Sequence, residues 1–354
     1  MFEPILLIDP KDAHGICNPV PSTVHAALPG IAASGGGLGA AKSVEMEDER
    51  SMTTLSRREM FLTPVLLTAT RAVSAVPGKR KMTLAIHQNT SAGAGYRKSL
   101  EGWSRAGIKY VEITNTLLDE FLKTDDLPAA RRVLTDLGLT AVHAATGVTG
   151  LWESNPSRTA SLENLKKRCE LFASMGLNHV YASTATTQKV TLEDYKTGVD
   201  NMHEAGEVAK QFNMSLRIEF LRTSTFISTL TTLVKMTRAA AHPNLAPMFD
   251  CYHFWSGLNK LEDLDLIEPG EIGHVHFQDV PDMPRELLDL TTRIIPGDGV
   301  SPLIRILGKL AERGYSGPLS VELFLPKFQQ GDPFEVAREI RQKSEAVMRQ
   351  ARVM

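Results

Sequence analysis

The sequence predicts a (β/α)8 TIM barrel, preceded by an N-terminal extension that is disordered or resembles a signal segment. Two observations carry the prediction of the barrel. Eight short apolar runs follow one another between residues 82 and 324, and segments with apolar residues at helical spacing separate them. Eight strand-then-helix units over about 250 residues match the usual size of this barrel. We therefore expect the barrel domain to span residues 81–345.

Each predicted strand is short and rich in apolar, β-branched or aromatic residues, which is typical of the buried strands of a parallel barrel. In chain order the strands are MTLAIHQN (82–89), KYVEIT (109–114), LTAVHAA (139–145), NHVYAS (178–183), MSLRIEF (214–220), LAPMFD (245–250), IGHVHFQD (272–279) and GPLSVELF (317–324). Several of the intervening helical segments end in a glycine just before the next strand, namely Gly107, Gly138, Gly176 and Gly314.

A doubly wound open sheet is the alternative architecture for such a pattern. It would usually carry a glycine-rich phosphate-binding turn after its first strand. The segment HQNTSAGAGYRKS, which follows the first strand here, lacks the G-x-G-x-x-G spacing. The barrel is therefore favoured.

The extension divides into two parts. Residues 1–51 show no helical or strand periodicity and include the small, glycine-rich stretch ALPGIAASGGGLGAAKS, so we expect disorder there. Residues 52–75 resemble a twin-arginine export signal, because SRR at 56–58 precedes an apolar stretch and VSA at 73–75 offers a cleavage site.

The export signal predicts a periplasmic or exported protein whose natural start is Met52, with residues 1–51 lying upstream of it. An amphipathic helix is the alternative for the same segment, and Arg71 within its late apolar region favours that alternative. The protein would then be cytoplasmic.

The bulk composition bears on the partners of the chain. A formal net charge of −2 gives no reason to expect nucleic-acid binding, and no apolar run reaches the roughly 18–20 residues of a membrane span. The three cysteines, Cys17, Cys169 and Cys251, show no metal-binding spacing. A small-molecule partner is expected, and a homo-oligomer is left open.

Acidic and imidazole side chains collect at the carboxyl ends of the last four predicted strands, where barrel enzymes place their chemistry. Glu219 lies at the end of strand five, Asp250 ends strand six with His253 three residues later, His276 lies in strand seven and Glu322 in strand eight. Carboxylates in apolar runs are costly unless a cation compensates them. Three carboxylates and one imidazole suit a divalent ion such as Mn²⁺, Mg²⁺ or Co²⁺, with Zn²⁺ less favoured.

The motifs RIEF, FDCYH, HVHFQD, IPGDG and GPLSVELF occur in this order. With them the chain, from about Lys81 to its C-terminus, resembles the xylose isomerase-like TIM barrel superfamily, often called the sugar phosphate isomerase/epimerase family. The resemblance implies that His253 contacts the substrate. It also implies that one divalent ion, Mn²⁺ first, is bound by Glu219, Asp250, His276 and Glu322.

The resemblance further implies a sugar isomerase or epimerase that moves a proton next to a carbonyl through an enediolate. Glu219 and Glu322 would be its catalytic residues and proton carriers. The same site supports loss of a β-hydroxyl, as in inosose dehydratases, or lyase chemistry on 3-keto sugars. A non-catalytic sugar-binding barrel is an alternative of another class, and the intact ligand set argues against it.

Four further residues are predicted to bind substrate, and three of them have a structural alternative. Glu112 and His143 lie on the second and third strands, where a salt bridge or a hydrogen-bonded core histidine is the alternative. Trp152 is expected to form an apolar wall against a sugar ring, or to pack a loop on a helix. Arg293 is expected to reach the substrate from the last long loop.

Two motifs of related enzymes are missing. Ketose 3-epimerases carry an arginine shortly after the strand-seven histidine, whereas the first arginine here is Arg285. Three-zinc AP endonucleases need a D-x-H pair before their G-x-G turn, and the segment LTTRIIPGDG has none. The endonuclease is thereby disfavoured, and the choice among isomerase, epimerase and lyase stays open.

Overall fold

The computed structural model describes residues 81–354, which form a closed barrel of eight parallel strands in chain order. Each strand pairs with the next one in sequence, and the last pairs with the first. The strands are β1 (Thr83–His87), β2 (Tyr110–Thr114), β3 (Thr140–Ala145), β4 (His179–Ser183), β5 (Ser215–Glu219), β6 (Leu245–Asp250), β7 (His274–His276) and β8 (Pro318–Val321). The predicted barrel is confirmed, and every predicted strand contains an observed one.

The helices of residues 81–354 lie between the strands and after the last of them. They are α1 (Gly95–Arg105), α2 (Asn115–Phe121), α3 (Leu127–Asp136), α4 (Arg158–Ser174), α5 (Leu192–Lys210), α6 (Leu230–Ala240), α7 (Cys251–Ser256), α8 (Leu303–Glu312), α9 (Pro326–Gln329) and α10 (Pro333–Gln350). Short 3₁₀ helices occupy Gln88–Ala94, Leu261–Leu266, Arg285–Leu287 and Leu290–Thr292. Within the described range, every helix is too short or too polar to cross a membrane.

The glycines predicted to stop helices do so through a left-handed backbone. Gly107 follows α1 with φ at 82°, and Gly176 follows α4 with φ at 86°. Residues with a Cβ rarely adopt this conformation, so glycine ends the helix and turns the chain toward the next strand. The predictions for residues 1–51 and for the export-like segment at 52–75 lie outside the described residues.

The two faces of the barrel wall differ in chemistry. Apolar side chains of the strands, such as Val111, Ile113 and Val275, are fully buried and belong to one large hydrophobic cluster that also contains the apolar side chains of the helices. The lumen is polar, because Glu112 on β2 contacts His274 on β7 across it. Barrels of this kind usually fill the lumen with branched apolar residues. A lumen that carries charge and imidazoles therefore needs a specific explanation.

Candidate active site

Four side chains from four consecutive strands meet at the carboxyl end of the barrel. Glu219, Asp250 and His276 are the last residues of β5, β6 and β7, and Glu322 directly follows β8. Each offers one ligand atom, all four atoms lie within 4.8 Å of one another, and all four residues are buried. The strand register explains the meeting, since Asp250 pairs directly with His276 in the sheet. We call these residues the tetrad.

The Nδ1 atom of His276 faces the three carboxylates. It lies 2.9 Å from Glu219 Oε1, 3.4 Å from Glu322 Oε2 and 3.5 Å from Asp250 Oδ2. Three carboxylates and an imidazole nitrogen aimed at one point are the donor set of a divalent metal ion. The residues present therefore fit the ion that the sequence predicts.

Crowding of the carboxylates shows in the pKa of Glu219. Burial raises this pKa to about 7, and the charges of Asp250 and Glu322 add to the rise against the opposing effect of His276. Burial also acts to raise the pKa of Asp250, but the Arg293 guanidinium and other neighbours outweigh it and hold that pKa low. The tetrad thus concentrates negative charge that a divalent cation would neutralise.

Arg293 enters the tetrad from the loop after β7. Its buried guanidinium places Nη1 2.5 Å from Glu322 Oε2 and 3.4 Å from Asp250 Oδ2. Its carbon Cζ lies 5.1 Å from the ring centres of both Tyr252 and Phe324. Held between two aromatic faces, the guanidinium is a fixed cation beside the carboxylates.

Asp279 explains how Arg293 reaches this place. Asp279 forms an isolated antiparallel bridge with Ile294, next to Arg293. Its carboxylate accepts hydrogen bonds from the backbone N–H groups of Gly297, Gly299 and Ser301, at 3.0 Å each. The IPGDG turn is thereby closed around one buried carboxylate, and the closure fixes the strand-like segment that carries Arg293.

The Asp250–His253 pair is joined by a helix cap. Asp250 Oδ1 accepts from the backbone N–H of His253 at 2.6 Å, so it caps α7 while Oδ2 remains at the tetrad. His253 Nε2 lies 2.8 Å from Arg293 Nη2 and accepts from it. Burial lowers the pKa of His253 to about 3, with Arg293 adding to the effect against Asp250, so the ring is neutral.

A cavity of about 270 Å³ opens above the tetrad, and Glu219, Glu322, His253 and Arg293 lie in its wall. The rest of the wall is divided between hydroxyl or amide side chains and apolar residues, the latter including Val148, Leu221 and Phe324. The polar neutral members are Asn89, Thr114, Asn115, Thr116, Thr149, Tyr181 and Ser183. Among the described residues of this wall the single cationic side chain is Arg293, and Glu322 already neutralises it.

Three of the residues predicted to bind substrate lie away from this cavity. Glu112 lies beneath the tetrad, 3.3 Å from His276 Nε2. His143 is buried and stacks on His274 at 3.8 Å between ring centres, with no hydrogen bond to either ring nitrogen among the described residues. Trp152 is buried and donates to the carbonyl of Ser183 at 2.9 Å. Their contact with substrate stays a prediction, whereas His253 and Arg293 do line the cavity.

Several residues of the site were not predicted from the sequence. Asn89 donates to Glu322 Oε1 at 3.1 Å, and His87 Nδ1 lies 3.5 Å from the same oxygen. Tyr181 lies 3.1 Å from His87 through its hydroxyl, and Gln278 donates to Asp250 Oδ2 at 2.7 Å. Asn89 follows β1 by two residues and Gln278 follows β7 by two. The rule that located the tetrad, polar residues at carboxyl strand ends, would have found them as well.

A histidine and carboxylate cluster that shares no residue with the tetrad lies on the helical layer, formed by His203, Glu207 and His242. The Nδ1 atom of His242 accepts from the backbone N–H of Asn244 at 3.1 Å. Its Nε2 therefore carries the proton that faces Glu207 at 2.9 Å. This cluster offers three ligand atoms and two of its residues are exposed, whereas the tetrad offers four from buried residues, so we assign metal binding to the tetrad.

Curated relatives of this chain include isomerases and dehydratases. The chain is 27% identical over 256 residues to an inosose isomerase of Halalkalibacterium halodurans, covering 70% of this chain and 90% of that protein. It is also 28% identical over 168 residues to an inosose dehydratase of Geobacillus kaustophilus, covering 44% of this chain and 54% of that protein. These relatives confirm the predicted class, an isomerase-like enzyme with a lyase as the second choice.

A solved structure described as "IOLI protein with a binding zinc atom" superimposes with a TM-score of 0.71 at 23% identity, over 77% of this chain and all of that one. This likeness confirms the fold. The family described as "Xylose isomerase-like TIM barrel" matches residues 101–349, which is most of the chain. The protein therefore belongs to the xylose isomerase-like TIM barrel family.

Proposed function

We propose that this protein is a divalent-metal-dependent isomerase or epimerase of a small keto-sugar or keto-polyol. The observation that carries the proposal is the tetrad, two of whose carboxylates, Glu219 and Glu322, line the cavity. Curated relatives named inosose isomerase and a structural neighbour named L-ribulose 3-epimerase support it.

The metal ion would be held by the tetrad, with oxygen ligands in the majority. When bound, the ion supplies a Lewis acid that polarises a carbonyl and stabilises negative charge on its oxygen. Mn²⁺ is our first choice because three of the four ligands are carboxylates, with Co²⁺, Mg²⁺ and Zn²⁺ as alternatives. The zinc in the IOLI neighbour shows that zinc is bound by a protein of this fold.

Glu219 and Glu322 are placed to move the proton. Both line the cavity, and they approach it from β5 and from the end of β8. Glu219 Oε1 faces His276, whereas its Oε2 has no hydrogen bond to any residue in the described range and faces the cavity. Glu322 is held by Asn89 and Arg293. We propose that Glu219 removes or returns the carbon-bound proton on the side of the substrate that it faces, and that Glu322 does so on the opposite side.

The metal requirement is tested by stoichiometry. We expect one divalent ion per chain, loss of turnover on chelation and recovery with Mn²⁺ or Co²⁺. Asp250→Asn should lower occupancy, because it removes a charged ligand. His203→Ala, in the cluster outside the barrel, is the matched control and should leave one ion per chain by elemental analysis. An Asp250→Asn protein with unchanged metal content would contradict the assignment.

The charge of the cavity predicts the substrate class. A phosphate ester carries about −1.5 to −2 charge at neutral pH, and Arg293, the cation of the wall, is already paired with Glu322. We therefore expect an unphosphorylated substrate, with kcat/KM for L-ribulose at least about 10²-fold above that for L-ribulose 5-phosphate, the scale of an unpaired buried charge. Equal or better turnover of the phosphate ester would contradict this prediction.

Dehydration is the second candidate, and the inosose dehydratase among the relatives favours it. The same two glutamates would serve, one removing the proton beside the carbonyl and the other protonating the departing hydroxyl. Proton NMR of inosose incubated with the metal-loaded protein separates the two reactions. Isomerisation gives a new ketone of equal mass, whereas dehydration gives an unsaturated product that lacks one water.

A further inference from the structure

We infer that Glu112 is a positioning residue that orients His276 for the metal ion. This inference rests on the proposed function, since it concerns a ligand of the proposed ion. The sequence predicted a substrate contact for Glu112, with a salt bridge as the alternative. The structure places it outside the cavity wall, with two imidazoles as its side-chain partners among the described residues.

The two nitrogens of His276 face opposite ways. Nδ1 faces Glu219 at 2.9 Å, whereas Nε2 faces Glu112 at 3.3 and 3.4 Å from its two oxygens. A neutral imidazole carries one N–H, and the nitrogen without it is the metal ligand. With Glu112 as an acceptor, the N–H would lie on Nε2, and with an ion in place of the proton between Nδ1 and Glu219 the lone pair of Nδ1 would point into the tetrad.

Glu112 is itself held in place. It is fully buried, and its Oε2 also lies 3.0 Å from Nε2 of His274. His274 and His276 are two residues apart on β7, so one carboxylate from β2 receives both imidazoles across the lumen. The ring of His274 stacks on His143 at 3.8 Å with 21° between the planes, and this stacking limits its rotation.

This arrangement explains why the lumen is polar. A carboxylate that accepts the second N–H of a metal-binding histidine fixes its tautomer and raises its basicity as a ligand. Loss of such a partner typically costs about 10–100-fold in metal affinity. The stacked rings of His143 and His274, below the tetrad, then hold Glu112 in place through its contact with His274.

Glu112→Gln is the direct test, because the amide keeps the size of the side chain and can present N–H to Nε2 of His276. That contact favours the other tautomer, with the proton on Nδ1 where the ion binds. We expect the Kd for Mn²⁺ to rise about 10–100-fold by calorimetry. In the Zn²⁺-loaded protein, the ¹⁵N spectrum of His276 should lose or shift the protected Nε2–H signal.

Two further variants keep the test decisive. Glu153→Gln changes another buried carboxylate, which lies outside the tetrad and the cavity wall, and should leave the Kd unchanged. Glu112→Asp keeps a charged acceptor and should retain more affinity than Glu112→Gln. It also serves as the test if the glutamine variant fails to fold.

The outcomes separate this inference from the proposed function. A wild-type protein that takes up no divalent ion overturns the proposed function and this inference with it. If the wild type binds the ion and Glu112→Gln binds it equally tightly with an unchanged Nε2–H signal, the positioning role alone is wrong.

Discussion

Replacing Glu219 by glutamine is expected to weaken metal binding, as Asp250→Asn does, and to lower turnover at matched metal occupancy by at least about 10²-fold, the usual scale for a general base. Glutamine keeps one oxygen for the ion and removes the basic oxygen that faces the cavity. The same change at Glu322 is expected to cost as much, because each carboxylate serves one side of the substrate. Steady-state rates at matched metal occupancy test both variants.

The two variants should differ in proton exchange. In an epimerase that uses one base on each face of the substrate, each variant retains one of the two bases. Glu219→Gln should therefore still exchange the proton of one epimer with solvent, and Glu322→Gln should still exchange the proton of the other epimer. Exchange in deuterium oxide, followed by NMR for each epimer, separates these cases. If Glu322→Gln retains metal and full turnover, Glu322 is removed from the mechanism and Glu219 is left as the only base.

Replacing Arg293 by methionine is expected to destabilise the metal-free protein by about 3–5 kcal/mol, the cost of removing one partner of a buried ion pair. Arg293 is fully enclosed, and it is the cation nearest to Asp250 and Glu322. The bound ion supplies replacement positive charge, so saturating Mn²⁺ should recover much of this loss. Denaturant unfolding with and without the ion measures both effects.

Arg285→Met is the matched control for that experiment. Arg285 is exposed and donates to the carbonyl of Gly257, outside the tetrad. Its replacement should change the free energy of unfolding by no more than about 0.5 kcal/mol, with or without metal. Two results would contradict the view that Arg293 compensates the charge of the tetrad carboxylates. One is an equal loss of unfolding free energy in the two variants, and the other is an Arg293→Met protein that the ion does not stabilise.

The barrel and its tetrad could be predicted because local signals specify both. Apolar runs of strand length and glycines such as Gly107 mark each strand and helix end, and parallel strands bring their carboxyl ends to one rim. Glu219, Asp250 and His276 are the last residues of their strands, so the predicted strand ends were enough to place the three side chains at the same rim of the barrel.

Contacts across the lumen could not be predicted in the same way. Glu112 and His274 are 162 residues apart, and β2 and β7 are not neighbours in the sheet. The alternation of side chains along a strand shows which residues face the lumen. It does not show which side chain on the opposite wall each of them contacts. The long loop that carries Arg293 is irregular, so its return to the tetrad depends on the turn that Asp279 closes. Sequence periodicity does not encode that turn.

Solvent exchange tests the central claim most directly, since the account rests on metal-dependent removal of a proton beside a carbonyl. The metal-loaded protein is incubated with inosose and with L-ribulose in deuterium oxide, and deuterium at the carbon next to the carbonyl is measured by NMR and mass spectrometry. We predict incorporation that stops on chelation, returns with Mn²⁺ and falls at least about 10²-fold in the double variant with glutamine at positions 219 and 322. Ketones that bind with no deuterium incorporated, or incorporation that survives complete removal of the metal, would contradict the account.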